Sequence, residues 1–239
     1  MFIISQEKRD EFLRGIPRKY RGYTNNFPQK SIKNKEDILY AVVNLYRYGV
    51  PFLNQGRLRQ ERMNDVNEIS NTLLPFVNKI WNYFNNKKPN TENTQENFDV
   101  FQEELCDLFI VLCEQTGFSH TYGNAQKMVN MLFKYFTCFS DYEEFSGLFI
   151  YCHIPIDRRI LVDFHKVYHV ENASYGNYRN EPWTRMSKEN YLLLLEDYRR
   201  TFSLIKGENS WLGVEYYVWT HENLPTTGEH TNIIKKFYK

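Results

Sequence analysis

Apolar residues recur at three- and four-residue intervals along most of this 239-residue chain. That recurrence puts them on one stripe of a 3.6-residue helix, so the chain is predicted to be built of amphipathic helices. Over residues 35–48 the stripe is Ile38, Leu39, Val42, Val43, Leu45 and Tyr46, and Gly49-Val50-Pro51 is a stop signal. A helix is predicted over about 57–85, interrupted or kinked near Pro75, whose ring cannot donate to the preceding turn. The polar run 85–93, with Pro89, reads as a loop. Phe98, Phe101, Leu105, Leu108, Phe109 and Leu112 mark the next helix, and Ala125, Met128, Val129, Leu132, Tyr135 and Phe136 mark another that opens around Gly123. A following helix is predicted to start at Ile154-Pro155-Ile156-Asp157, because Pro suits a first helical turn. Its apolar residues continue through Leu161, Val162, Phe164 and Val167. Residues 172–180 read as loop, and Ser187 is an N-cap for a strong helix reaching Ile205. The segment 211–219 suits a strand or a buried helix, and helix is favoured because the chain offers no strand partner. The end after Glu222 reads as turn-rich. The expected fold class is all-α: one multi-helix globular unit over 1–239, in which the 85–93 loop could separate lobes at about 1–90 and 91–239 with a cleft between them.

Composition narrows the class. With 42% hydrophobic and 25% charged residues the chain is an ordinary globular mixture, which excludes disordered and collagen-like proteins. No apolar run approaches the roughly 18–20 residues of a membrane span, and the N-terminal apolar run is too short for a signal peptide. A cytoplasmic location, no membrane partner and a monomer are the expectations. The net charge of +1 does not announce a polyanion partner. Local basic clusters exist at Arg14, Arg18, Lys19 and Arg21, at Arg57, Arg59 and Arg62, and at Arg158-Arg159. DNA binding would need several of these on one face, since phosphate neutralisation supplies most non-specific affinity. The aromatic share of 17% is high enough to fill a core and still leave rings for stacking on bases, with Trp81 and Trp183 as candidates. Cys106, Cys113, Cys138 and Cys152 have neither metal-site nor disulfide-framework spacing, and Cys106 and Cys113 read as small buried residues. There is no phosphate loop and no dinucleotide fingerprint, and no metal or organic cofactor is expected.

The candidate chemistry lies between residues 123 and 160. Lys127 sits off the apolar stripe of its helix, near the N-terminus, with Asn130 and Lys134 on the same polar side. Asp157 is expected inside the first turn of the next helix. The positive end of a helix disfavours an ammonium and favours a carboxylate. A nucleophilic amine beside a fixed carboxylate is what bond cleavage at a sugar C1′ can use. A lysine in the first turn of a long helix, followed by Pro155-Ile156-Asp157 opening the next, resembles the helix-hairpin-helix (HhH-GPD) DNA glycosylase/lyase superfamily. The 30-residue separation of Lys127 and Asp157, and the chain length, are closest to its archaeal 8-oxoguanine DNA glycosylase branch. The resemblance implies an all-helical enzyme that takes double-stranded DNA with a flipped modified nucleotide, with Lys127 as the Schiff-base lysine and Asp157 as the catalytic aspartate. It leaves open whether the base is oxidised guanine or a modified base of phage DNA, and whether the role is repair or phage defence. The family's paired hairpin glycines are replaced here by Gly117 and Gly123, six residues apart, and no cysteine follows Cys152, so no iron–sulfur cluster is expected. Gln126, Asn130 and Arg158 are candidates for orienting base or phosphate, and Gly123 for a close approach of backbone to DNA.

Two rival readings use other residues or none. Arg159 and His165, six positions apart, resemble the Arg…His signature of the all-helical HEPN ribonucleases, in which the Arg would stabilise phosphate charge and the His would move a proton. His153 could ligate a metal in principle but has no companion ligands at metal spacing. In the third reading the chain is a non-catalytic helical binding or adaptor protein, and Lys127 and Asp157 are structural.

Overall fold

The computed structural model of the protein describes residues 4–16, 22–49, 66–86, 94–115, 119–157, 160–161, 182–202 and 211–220. Among these residues the regular structure is helical and no strand occurs. The helices are α1 (Gln6–Gly15), α2 (Lys35–Gly49), α3 (Val66–Asn86), α4 (Gln95–Gln115), α5 (Tyr122–Phe136), the short α6 (Ser146–Phe149), α7 (Lys188–Phe202) and α8 (Trp211–Thr220). Three single-turn 3-10 segments, Phe27–Gln29, Tyr142–Phe145 and Trp183–Arg185, lie between them. The all-α expectation holds. The ambiguous 211–219 segment is helix, and Ser187 caps α7 by accepting the Asn190 N–H at 3.2 Å.

Each stripe read from the sequence becomes a buried face. In α3 the buried set is Ile69, Leu73, Phe76, Val77, Ile80 and Phe84, and Pro75 falls inside the helix rather than ending it. The predicted start of this helix at 57–65 lies outside the described residues, as do the 87–93 loop and the 172–180 segment. α2 packs on α3, α3 on α4, and both α2 and α4 on α5, so helices that precede and follow residues 87–93 share one core, and residues 85–86 of the expected loop belong to α3. Aromatic rings fill the junctions. Phe84 meets Phe133, Phe136, Phe145 and Phe149 at centroid separations of 5.5–6.1 Å, and Tyr83 stacks on Phe101 at 3.6 Å. Removing such a ring from water is worth about 1.5–3 kcal/mol, so these contacts dominate the stability. Cys106, Cys113, Cys138 and Cys152 are free and buried. Among the described residues no helix is long and apolar enough to cross a membrane.

The decisive feature is the position of α5. It is covered by α2, α4, α7 and the Trp183–Arg185 turn, and 13 of its 15 residues are buried. A helix that is buried all round must find partners inside the protein for every polar group it carries. The side of α5 that the sequence assigns to solvent, with Asn130 and Lys134, is therefore interior: both residues are fully buried.

Candidate active site

α5 begins at Thr121, whose Oγ1 accepts the Asn124 N–H at 3.2 Å and donates to the Thr184 carbonyl at 2.6 Å. With the cap there, Lys127 stands in the second turn. The helix-end field decays within the first turn, so it acts on Lys127 less than the sequence pattern implies. Gly123 does not approach DNA in this arrangement. Its N–H donates to the Met186 carbonyl at 2.9 Å, and a Cβ placed on it would sit 1.9 Å from the Trp183 carbonyl oxygen. The glycine is required because the chain's own 183–186 backbone crosses the start of α5. Gly123→Ala is expected to cost about 1–3 kcal/mol through forced backbone displacement, measured by urea unfolding. A cost near zero would show that the crossing can yield.

The second half of the site differs from the helix start expected at Pro155. Residues 152–157 have no regular secondary structure, and Pro155 lies within that irregular segment rather than in a helical turn. Asp157 is the cap: its Oδ1 accepts the Ile160 N–H at 3.1 Å, and its carbonyl accepts the Leu161 N–H at 2.9 Å. Residues 160–161 are helical, and residues 162–181 lie outside the described residues. Asp157 Oδ2 receives a hydrogen bond and ion pair from Lys127 Nζ. Their side chains are 20% and 18% exposed, so the pair stands at the edge of the packed interior and can be reached.

Beneath this pair the polar side of α5 is bonded to the 152–157 segment. Gln126 uses both ends of its amide on Ile156, with Nε2 donating to the carbonyl at 2.7 Å and Oε1 accepting the N–H at 3.1 Å. Asn130 Nδ2 donates to the Ile154 carbonyl at 3.0 Å and to Gln126 Oε1 at 3.1 Å. Both amides are fully buried, so they face the chain's own backbone and not a nucleotide. This corrects the base- or phosphate-orienting role expected of them. Arg158 lies outside the described residues, and so do Arg159 and His165 of the ribonuclease pattern.

Two further polar clusters were not legible in the sequence. His153 Nδ1 is 2.9 Å from Tyr191 Oη and its Nε2 is 2.8 Å from Asp99 Oδ1. Tyr191 Oη accepts from Asn130 Nδ2 at 3.3 Å, and Asn130 Oδ1 accepts from Gln102. Burial lowers the pKa of His153 against the pull of Asp99. Burial also opposes charge on Asp99, but hydrogen bonds from His153 and Arg199 prevail and hold its carboxyl down to about 2. His153 is thus a bonded structural histidine. Among the described residues no group of three or more His, Cys, Asp or Glu is placed to hold a metal. The second cluster lies two turns along α5 from Lys127. Lys134 pairs with Glu215 of α8, with side chains 0% and 1% exposed, and its Nζ lies over the rings of Phe12 at 4.1 Å and Tyr216 at 4.7 Å. Burial lowers the Lys134 amine to about 8 although Glu215 favours its charge, and burial likewise raises the Glu215 carboxyl. The available signals were single polar residues inside apolar runs: Gln102 on the buried stripe of α4 and Glu215 between Trp211 and Trp219.

No protein-family model, no curated protein and no solved structure matches the chain. What defines the site is its own geometry. That geometry holds a primary amine against a carboxylate at an accessible edge, above an interior whose polar groups bond to one another.

Proposed function

We propose that the protein excises a modified base from DNA, with Lys127 as nucleophile and Asp157 as its carboxylate partner. The observation that carries this reading is the partly exposed Lys127–Asp157 pair, formed across 30 residues by a helix and the cap of the next. The target C1′ is inaccessible in stacked duplex, so the nucleotide has to be flipped out to reach the pair. Asp157 accepts a proton from the Lys127 ammonium, and the freed lone pair forms a bond to C1′. The C1′–N bond breaks, its electron pair leaves with the base, and the base takes up a proton from solvent. Opening of the sugar ring gives a Schiff base between Lys127 and C1′, which can undergo β-elimination of the 3′ phosphate before water releases the amine. No metal or organic cofactor enters these steps. Oxidised guanine, from the resemblance to the archaeal branch, and a modified phage base are the two substrate classes to compare.

The test incubates the pure protein with duplexes carrying different modified bases and adds borohydride. A covalent protein–DNA adduct, formed equally in the presence of chelator, is the expected result. A structural pair in a helical binding protein would use the same two contacts, and the absence of any adduct would favour that reading. Asp157→Asn separates the two on one variant. As a cap, asparagine serves almost as well as aspartate, so loss of the ion pair should cost stability on the order of 1 kcal/mol. As the partner of a developing positive charge, Asp157 is worth about 3 kcal/mol, so single-turnover excision is expected to fall roughly 100-fold while DNA is still bound. Unchanged excision with a small loss of melting temperature would remove the catalytic role.

A further inference from the structure

We propose that Gln126 and Asn130 are positioning residues that set the carboxylate of Asp157 against Lys127 Nζ. The inference rests on the base-excision reading for its kinetic consequence but not for its structural one. The segment that delivers Asp157 has no helix of its own before the cap and no strand partner among the described residues, so something else must satisfy and fix its backbone. Pro155 contributes no N–H and fixes its own φ, and on either side of it α5 side chains hold three backbone groups, the Ile154 carbonyl and the N–H and carbonyl of Ile156. Asn130 takes the first at 3.0 Å, and Gln126 takes the other two at 2.7 and 3.1 Å. Ile156 is the residue immediately before Asp157, and Gln126 is immediately before Lys127. The two members of the pair are therefore attached to neighbours that are bonded directly to each other. Any shift of the 152–157 segment along α5 has to break the Gln126–Ile156 bonds before it separates Lys127 from Asp157.

The amides themselves are not free to turn. Asn130 is bonded to Gln126, Gln102 and Tyr191, and Tyr191 is held through His153 to Asp99. Two wholly buried amides would be costly if they served volume alone, since a hydrocarbon of the same shape leaves nothing to satisfy. Their bonding pattern fits a different purpose, which is to index one backbone against another at the site.

The experiment uses the near-isosteric variants Gln126→Met and Asn130→Leu, with Asp157→Asn as reference. Lysine amines of the folded protein are reductively methylated with carbon-13, and the Lys127 signal is identified by its disappearance in Lys127→Gln. The expected result is that Gln126→Met moves the Lys127 methyl resonance most of the way to its position in Asp157→Asn, and that adding Gln126→Met to Asp157→Asn moves it no further. Single-turnover excision should fall roughly 100-fold in Gln126→Met, the penalty of an ångström-scale misplacement, and show no added loss in the double variant. A folded Gln126→Met whose Lys127 resonance coincides with that of the unaltered protein overturns the proposal. If Gln126→Met does not fold, Gln126→Glu keeps the shape and the acceptor while removing both donors, and the same resonance decides. Should the unaltered protein excise no base, the resonance arm still tests the clamp, and only the base-excision reading falls.

Discussion

Lys127→Gln is expected to abolish the borohydride-trapped adduct and strand nicking altogether. The amide nitrogen that replaces the amine has its lone pair delocalised and cannot attack C1′. The other lysine on the same side of α5, Lys134, cannot take over, because it is wholly buried and paired with Glu215. The sequence alone makes Lys127 a solvated residue whose replacement is free. In the structure it is one-fifth exposed and bonded to Asp157, so the change has a structural cost as well. The glutamine amide can still donate to the carboxylate, which limits that cost to on the order of 1–3 kcal/mol by urea unfolding. On the base-excision reading DNA affinity should persist, since duplex binding rests mainly on phosphate contacts. Full trapping in this variant would take Lys127 out of the nucleophile role.

The second large effect lies away from the proposed chemistry. Glu215→Leu is expected to destabilise the protein by about 3–5 kcal/mol near pH 7, because it leaves the Lys134 ammonium in the interior without its counter-charge. The double change Lys134→Met with Glu215→Leu should recover most of that loss or exceed the starting stability, since a buried ion pair often only balances its own desolvation. Urea midpoints of the two variants give the comparison. A single variant as stable as the double would mean that Lys134 reaches water when Glu215 is removed.

The same pair gives the unaltered protein a pH signature. The folded Lys134 amine, at about 8, lies below its ordinary 10.5, so between these values the unfolded chain holds the extra proton and stability rises with pH. Glu215 is raised above its ordinary 4.5, so its contribution is full below that value and is lost as pH rises through the folded value. In Glu215→Leu the recovery with rising pH should begin at lower pH than in the unaltered protein, because nothing remains to favour the charged amine.

The helices were legible in the sequence because a repeating stripe states which positions share a face, and burial of that face is worth far more than local propensity. The stripes of α2, α3, α4 and α5 and the Ser187 cap of α7 all rest on that local information. The pairing of Lys127 with Asp157 is of another kind: the order of residues suggests it, but only the packing of the 152–157 segment on α5, across 30 residues, brings the two together. What a stripe cannot state is what covers the other side. Gln126, Asn130 and Lys134 read as a solvent face because isolated polar groups are costly to bury. They became interior only when the 152–157 segment, Gln102, Tyr191 and Glu215 arrived from 24 residues or more away along the chain to bond or face them. Pro155 is compatible both with a first helical turn and with irregular backbone at the same φ, and the amides of α5 bond the backbone on either side of it in the non-helical form. Gly123 looked like room for a phosphate, and the crossing backbone of 183–186 filled it. Local pattern fixed the elements, whereas the environment of each polar group depended on partners distant in sequence, whose hydrogen bonds alone make its burial tolerable.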